Sequence, residues 1–270
     1  MARTFDLYAF TRASRERSHK LLVIYLTCGF RRFDWTAPLA REIFDAGADL
    51  IELGMPFSDP LADGPTIQAA SQQALKHYMN AEMYFKIAEV VSGIGPTAFM
   101  GYLNSVTTIP RFLERAHDAQ LCGLVLPEWP VFSVSFENLT HFAARLNLPR
   151  IPFVAPTTSS DRIAQIDAMD APFIYAVSVA GVTGARAQLD TSVDTYLAGL
   201  KKSLKTPFLT GFGVSSPETA RRIASIADGV IVGSALLDGI GSSKTLEQAC
   251  DYTSEFVQSL REAIDEPLSA

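Results

Sequence analysis

The feature that most constrains the fold is an alternation. Eight short apolar runs recur along the chain: Leu21–Leu26, Asp49–Leu53, Thr97–Met100, Gly123–Leu126, Ile151–Val154, Phe173–Val177, Pro207–Thr210 and Gly229–Val232. Each is four to six residues long and nearly continuous rather than alternating in polarity, the pattern of strands buried on both faces of a parallel sheet. Between them lie segments with apolar residues at three- and four-residue spacing. Leu39, Ile43 and Phe44 mark one, Phe85, Ile87, Val90 and Val91 another, Phe142 and Leu146 a third, and Ile163 and Ile166 a fourth. Strand and helix in eightfold alternation predict an α/β fold, a (β/α)8 TIM barrel, with an additional N-terminal helix against the barrel bottom before Leu21 and a long final helix over Lys244–Ile264. A doubly wound open sheet is the structural competitor, but no G-x-G-x-x-G follows the first run.

The 270 residues exceed a typical domain, yet closed α/β barrels reach about 250 residues as one unit. No Pro/Ser-rich linker, low-complexity tract or charge block marks a boundary, so residues 1–270 are expected to form one barrel domain. Hydrophobic residues make up 48% and charged ones 19%, which suits a large core. The formal net charge of −6 lacks the cationic field that carries non-specific binding to DNA or anionic membrane, so neither partner is expected. The apolar runs are far shorter than the roughly 20 residues that span a bilayer. The opening Met1-Ala2-Arg3-Thr4-Phe5-Asp6 has no apolar signal region, and a cytoplasmic location is expected. Cys28, Cys122 and Cys250 show no CxxC spacing, so buried thiols are expected rather than disulfides or zinc. His19, His77, His117 and His141 are scattered, which leaves acid–base chemistry to carboxylates.

In a parallel barrel the strand C-termini open on one face, where the active site is built. Two loops on that face are longer than a barrel needs: Gly54–Pro65, and Ser178 to about Thr191. The second run ends Leu50-Ile51-Glu52-Leu53-Gly54. Glu52 is either a carboxyl whose pKa burial raises into the range useful for proton transfer or a glutamate paired to a neighbouring Arg or Lys. The loop beyond carries Asp59 and Asp63 and is stiffened by Pro56, Pro60 and Pro65. Asp63, just before Gly64-Pro65 and a helix predicted to begin near Thr66, is suited equally to capping that helix and to catalysis. Glycines follow the last three runs: Gly181 and Gly184, Gly211 and Gly213, and Gly233 before Ser234. Backbone N–H groups without a shielding Cβ, one set at a helix start, suit a phosphate subsite.

These residues resemble a known family. The eighteen residues from Ile51 to Gln68 closely resemble the signature of the tryptophan synthase α subunit. Gly181-Val182-Thr183-Gly184, Gly211-Phe212-Gly213-Val214-Ser215 and Gly233-Ser234 resemble its phosphate loops in order and spacing. The resemblance implies retro-aldol cleavage of indole-3-glycerol phosphate to indole and glyceraldehyde 3-phosphate in the last steps of tryptophan biosynthesis. It implies Glu52 as the proton-transferring glutamate, Asp63 as the partner of the indole N–H, Tyr175 as an active-site tyrosine and Thr183 on a closing loop. Gly184, Phe212, Gly213, Gly233 and Ser234 would hold the phosphate. Of the two acids, Glu52 is expected to have the raised pKa and Asp63 the lower one.

The resemblance further implies no metal or organic cofactor in this subunit. It implies a β partner carrying pyridoxal phosphate in an α2β2 assembly, with Asp59 and Asn104 at the contact and allosteric coupling between the two sites. The chain departs from the family in Thr27-Cys28-Gly29-Phe30-Arg31, where an acidic residue and a proline are usual after the glycine, at Ser105, where proline is usual, and at Val179, where some members carry Arg. Those departures leave two alternatives: an α-like subunit that mainly activates the β subunit, and a stand-alone lyase.

Overall fold

A computed structural model describes residues 5–130, 132–177, 186–211 and 213–266. Its strands are β1 (Leu21–Thr27), β2 (Leu50–Gly54), β3 (Thr97–Met100), β4 (Leu124–Val125), β5 in two halves (Arg150–Ile151 and Phe153–Val154), β6 (Ile174–Val177), β7 (Phe208–Gly211) and β8 (Gly229–Val232). All pairings are parallel, and β1 lies between β2 and β8. The sheet closes through β5. Its first half pairs with β4, Ile151 opposite Val125, and its second with β6, Phe153 opposite Tyr175. Only Pro152 separates the halves. It has no N–H for the ladder, but its carbonyl still accepts from Tyr175 N at 2.8 Å. The closed parallel ring is the predicted TIM barrel and excludes the open sheet.

Side chains alternate across the pleat, and they divide the core in two. Leu21, Val23, Leu50, Ala98, Ile151, Phe173, Tyr175, Leu209 and Ile231 fill the barrel interior. Leu22, Ile24, Ile51, Leu53, Phe99, Ile174, Phe208 and Val230 face the surrounding helices. The N-terminal helix α1 (Leu7–Glu16) is capped by Asp6, which accepts from Ala9 N. It closes the bottom: Leu7 packs with the interior set, and Thr11 Oγ1 donates to Pro172 O at 2.8 Å.

Helices α2 (Thr36–Asp45), α3 (Pro65–Lys76), α4 (Ala81–Ser92), α5 (Leu103–Thr108), α6 (Phe112–Asp118), α7 (Glu137–Arg145), α8 (Ser160–Asp167), α9 (Arg186–Ser203), α10 (Pro217–Ala224), α11 (Ser234–Ser242) and α12 (Leu246–Asp265) cover the sheet. The helices expected from apolar spacing around Phe85–Val91 and Phe142 are present, but two of the marking residues lie off their buried faces. Val90 in α4 is 54% exposed and Phe142 in α7 is 38% exposed. In α4 the buried stripe runs through Tyr84, Phe85, Ala88 and Val91, so Val90 falls beside it. In α7 only Ala143 is buried. The long loop after β6 is also shorter than expected, because α9 begins at Arg186. Among the described residues, no helix is long and apolar enough to cross a membrane. Cys28 and Cys122 are buried thiols and Cys250 is partly buried.

Candidate functional site

At the C-terminal mouth of the barrel a cavity is lined by Tyr25, Glu52, Asp63, Gly64, Ile67, Met100, Tyr175, Gly213, Val214, Ile231, Gly233 and Ser234. Glu52 reaches it because Leu50, two residues earlier on β2, points into the barrel, so the next side chain on that face does too. Tyr25 and Ala98 are its neighbours in register on β1 and β3. Glu52 is 1% exposed, and its Oε1 has no hydrogen-bond partner. Burial alone pushes its carboxyl up to about 8. Among the described residues no Lys or Arg pairs with it, so of the two readings of Glu52 the structure favours the desolvated acid.

Asp63 ends a loop held by short-range bonds. Asp63 N donates to Pro60 O at 3.1 Å, and Gln68 Nε2 of α3 donates to Asp63 O at 2.9 Å. The capping alternative fails: Gly64 is the N-cap of α3, with no side-chain cap bond. Asp63 Oδ2 instead accepts from Tyr102 Oη at 3.0 Å. Burial raises its pKa to about 6, with Tyr102 opposing and the charge of Glu128 adding to the rise. The predicted order of the two acids holds, but Asp63 too lies above the ordinary carboxylate range.

Tyr175 rises from β6, is 6% exposed and stacks on Phe153 with centroids 4.5 Å apart. Gly211 makes room for it, because a Cβ there would lie 2.1 Å from the Tyr175 hydroxyl. Gly213 has φ +82°, a left-handed conformation that favours glycine. Gly233 is the N-cap of α11, so the first N–H groups of that helix, from Ser234 onward, are left without intrahelical acceptors at the cavity wall. Gly213, Gly233 and Ser234 thus line the same cavity as Glu52 and Asp63. Thr183, Gly184, Phe212 and Val179 lie outside the described residues.

Asp59 and Asn104 stand apart from the cavity, both exposed on the same face of the barrel. Asp59 Oδ2 accepts from Ser58 Oγ at 2.6 Å, and Asn104 O accepts from Thr108 Oγ1 at 2.7 Å. The departures elsewhere are absorbed locally. Phe30 is buried, and Arg31 donates to Gly241 O and Ser243 O at the end of α11; Ser105 is buried within α5.

Two side chains of the site, Tyr25 and Tyr102, were not singled out from the sequence as part of it. Tyr25 sits in an apolar run and reads as core; the alternation Leu21, Val23, Tyr25 would have aimed it inward. Tyr102 carries no pattern of its own.

The sequence matches the tryptophan synthase alpha chain family over residues 11–265. It is 36% identical over 250 residues to the tryptophan synthase alpha chain of Thermoanaerobacter sp. (strain X514), covering 91% of this chain and 94% of that one. It is 42% identical over 228 residues to that of Carboxydothermus hydrogenoformans, covering 83% and 85%. The fold superposes on tryptophan synthase subunit alpha from Legionella pneumophila with TM-score 0.84 at 29% identity, covering 97% of this chain and 99% of that one. A chain of the M. tuberculosis tryptophan synthase, in an aminoacrylate-bound form, gives TM-score 0.80 at 27% identity, covering 94% and 99%.

Proposed function

The chain belongs to the tryptophan synthase alpha chain family and is thereby a lyase of tryptophan biosynthesis, and on that premise we propose that it splits indole-3-glycerol phosphate into indole and glyceraldehyde 3-phosphate. The observation that carries this reading is the pair of acids in one cavity with separated pKa values, about 8 for Glu52 and about 6 for Asp63. Near pH 7 Glu52 is protonated while Asp63 is mostly ionised, which is the pairing this reaction uses.

Cleavage requires a proton on indole C3 and the loss of a proton from the adjacent side-chain hydroxyl. Glu52 gives its proton to C3, forming a ring whose N–H carries positive charge, and the Asp63 carboxylate accepts that N–H and stabilises the cation. The Glu52 carboxylate then takes the hydroxyl proton. The carbon–oxygen double bond forms, the carbon–carbon bond breaks, and its electron pair returns to the ring to give neutral indole. Protons balance, and Glu52 ends as it began. The indole ring itself receives the electron pair, so this step calls for no metal or organic cofactor in the subunit.

Tyr175 walls the cavity beside both acids, and the bare amides of Gly213, Gly233 and Ser234 grip the phosphate with the partial positive charge of the α11 N-terminus; Gly184 and Phe212 are assigned to the same subsite and Thr183 to the closing loop. A β subunit carrying pyridoxal phosphate consumes the indole in a cytoplasmic α2β2 assembly. Asp59 and Asn104 lie at that contact, where Leu61, 92% exposed, offers an apolar side chain to a partner. The test is direct. The purified chain releases indole from indole-3-glycerol phosphate, Glu52→Gln releases none while still binding glycerol phosphate, and a β subunit raises the wild-type rate. Indole release by Glu52→Gln at the wild-type rate refutes the assignment; no rate change with any β subunit leaves a stand-alone lyase.

A further inference from the structure

Three loops of the barrel mouth meet at one phenol. Tyr102, between β3 and α5, is 7% exposed and stacks on Phe57 of the β2 loop with ring centroids 5.0 Å apart. Its hydroxyl accepts from Ala62 N at 3.0 Å and donates to Asp63 Oδ2 at 3.0 Å. The next residue is tied from a third loop, because Leu103 N donates to Glu128 Oε1 at 2.7 Å. With its acceptor side taken by a fixed backbone amide, the phenol has one proton to give, and it gives it to Asp63.

We infer that Tyr102 is a positioning residue for the lyase reaction: its hydroxyl, anchored by Ala62 and by the Glu128 tether on Leu103, holds Asp63 Oδ2 and leaves Oδ1 for the indole N–H. The inference rests on the proposed reaction for its purpose, and on the hydrogen bonds alone for its geometry. Two consequences follow for Asp63. Asp63 is oriented before substrate arrives, which removes a reorganisation step from catalysis. A donated bond favours the ionised carboxylate, so Tyr102 counteracts the burial that works against it. Glu128, an exposed carboxylate, adds a modest opposing charge while its oxygen secures the backbone. The other titratable groups at the same cavity are Glu52, Tyr25 and Tyr175, and burial holds all three uncharged near neutral pH.

The test is the titration of Asp63 in the full chain, read from the carboxyl carbon resonances of 13C-labelled aspartate, with Asp63 assigned by its loss in Asp63→Asn. Tyr102→Phe keeps the ring stack and removes the donor. The Asp63 midpoint should rise by about one pH unit, the equivalent of one hydrogen bond to a charged group. Indole release at pH 7 should fall roughly tenfold or more, mainly in kcat. Glu128→Gln keeps an acceptor for Leu103 N and removes the charge, and it should lower the midpoint by roughly a few tenths of a pH unit at low salt. A folding defect would lower the melting temperature without moving the two midpoints in opposite directions. An Asp63 midpoint in Tyr102→Phe equal to or below that of wild type overturns the inference. Failure of the wild-type chain to release indole refutes the lyase reading instead, and the carboxyl titration still decides whether Tyr102 holds Asp63.

Discussion

Glu52→Gln should stabilise the protein increasingly as pH rises, while abolishing its chemistry. An ordinary glutamate titrates near 4.5, and burial moves Glu52 to about 8. Between those values the folded chain keeps the proton and the unfolded chain releases it, so the folded state binds more protons and stability falls as pH rises. The slope is about 1.4 kcal/mol per pH unit for one such group, which amounts to about 3 kcal/mol by pH 7 and about 5 kcal/mol above pH 8. Below pH 4.5 the carboxyl is neutral in both states and its contribution is fully favourable. Glutamine cannot ionise, and any cost of burying its amide is the same at every pH. Urea unfolding of both proteins at several values from pH 4.5 to 9 isolates the effect, since all other titrating groups cancel in the difference. The difference should grow in favour of Gln across pH 5 to 8 and then level off. A difference that stays flat across that window would mean Glu52 ionises normally in the folded chain, and the desolvated-acid argument would fail.

Other perturbations separate chemistry from scaffold. Asp63→Asn leaves the indole N–H without an anionic acceptor, and indole release should fall by roughly 10²- to 10⁴-fold with little change in melting temperature. Asp49 lies at the opposite, bottom end of the barrel, where it accepts from Leu22 N at 2.8 Å and pairs with Arg261 at 3.0 Å and His19 at 2.8 Å. Asp49→Ala leaves Arg261 with Asp265 and Lys20 O but removes the acceptor of the buried Leu22 N, and it should cost about 1–3 kcal/mol in urea unfolding while leaving kcat near normal. Gly211→Ala would place a methyl against the Tyr175 ring; activity should drop sharply, with a stability loss of about 1–3 kcal/mol.

The barrel was legible because its strands are buried on both faces and therefore read as uninterrupted apolar runs. The fifth run, Ile151–Val154, was legible too, but not that Pro152 splits it into two half-strands through which the ring closes. The pair of helices α5 and α6 between β3 and β4 was equally hidden: each is a turn or two long, and Arg111 at φ +52° sets the break between them. Val90 and Phe142 show the limit of apolar spacing, because a residue one step off the buried stripe reads the same as one on it. At the site, Glu52 stood out as one charge among apolar neighbours, and the prolines around Asp63 announced an ordered loop. The partner of Asp63 did not, because Tyr102 joins it across 39 residues and only the folded loops bring them together. Burial, aided by the charge of Glu128, lifts Asp63 to about 6, and the Tyr102 bond works against that rise.

The account depends on Glu52 being protonated while Asp63 is ionised, and the pH dependence of kcat/KM for indole release by the isolated chain tests it most directly. A bell is predicted, with an acid limb near 6 from Asp63 and an alkaline limb near 8 from Glu52. The alkaline limb falls because ionised Glu52 has no proton to give to C3, and the acid limb because neutral Asp63 no longer stabilises the ring cation. A rate that climbs through pH 8 without turning over would contradict it, since Glu52 would then be acting only as a base.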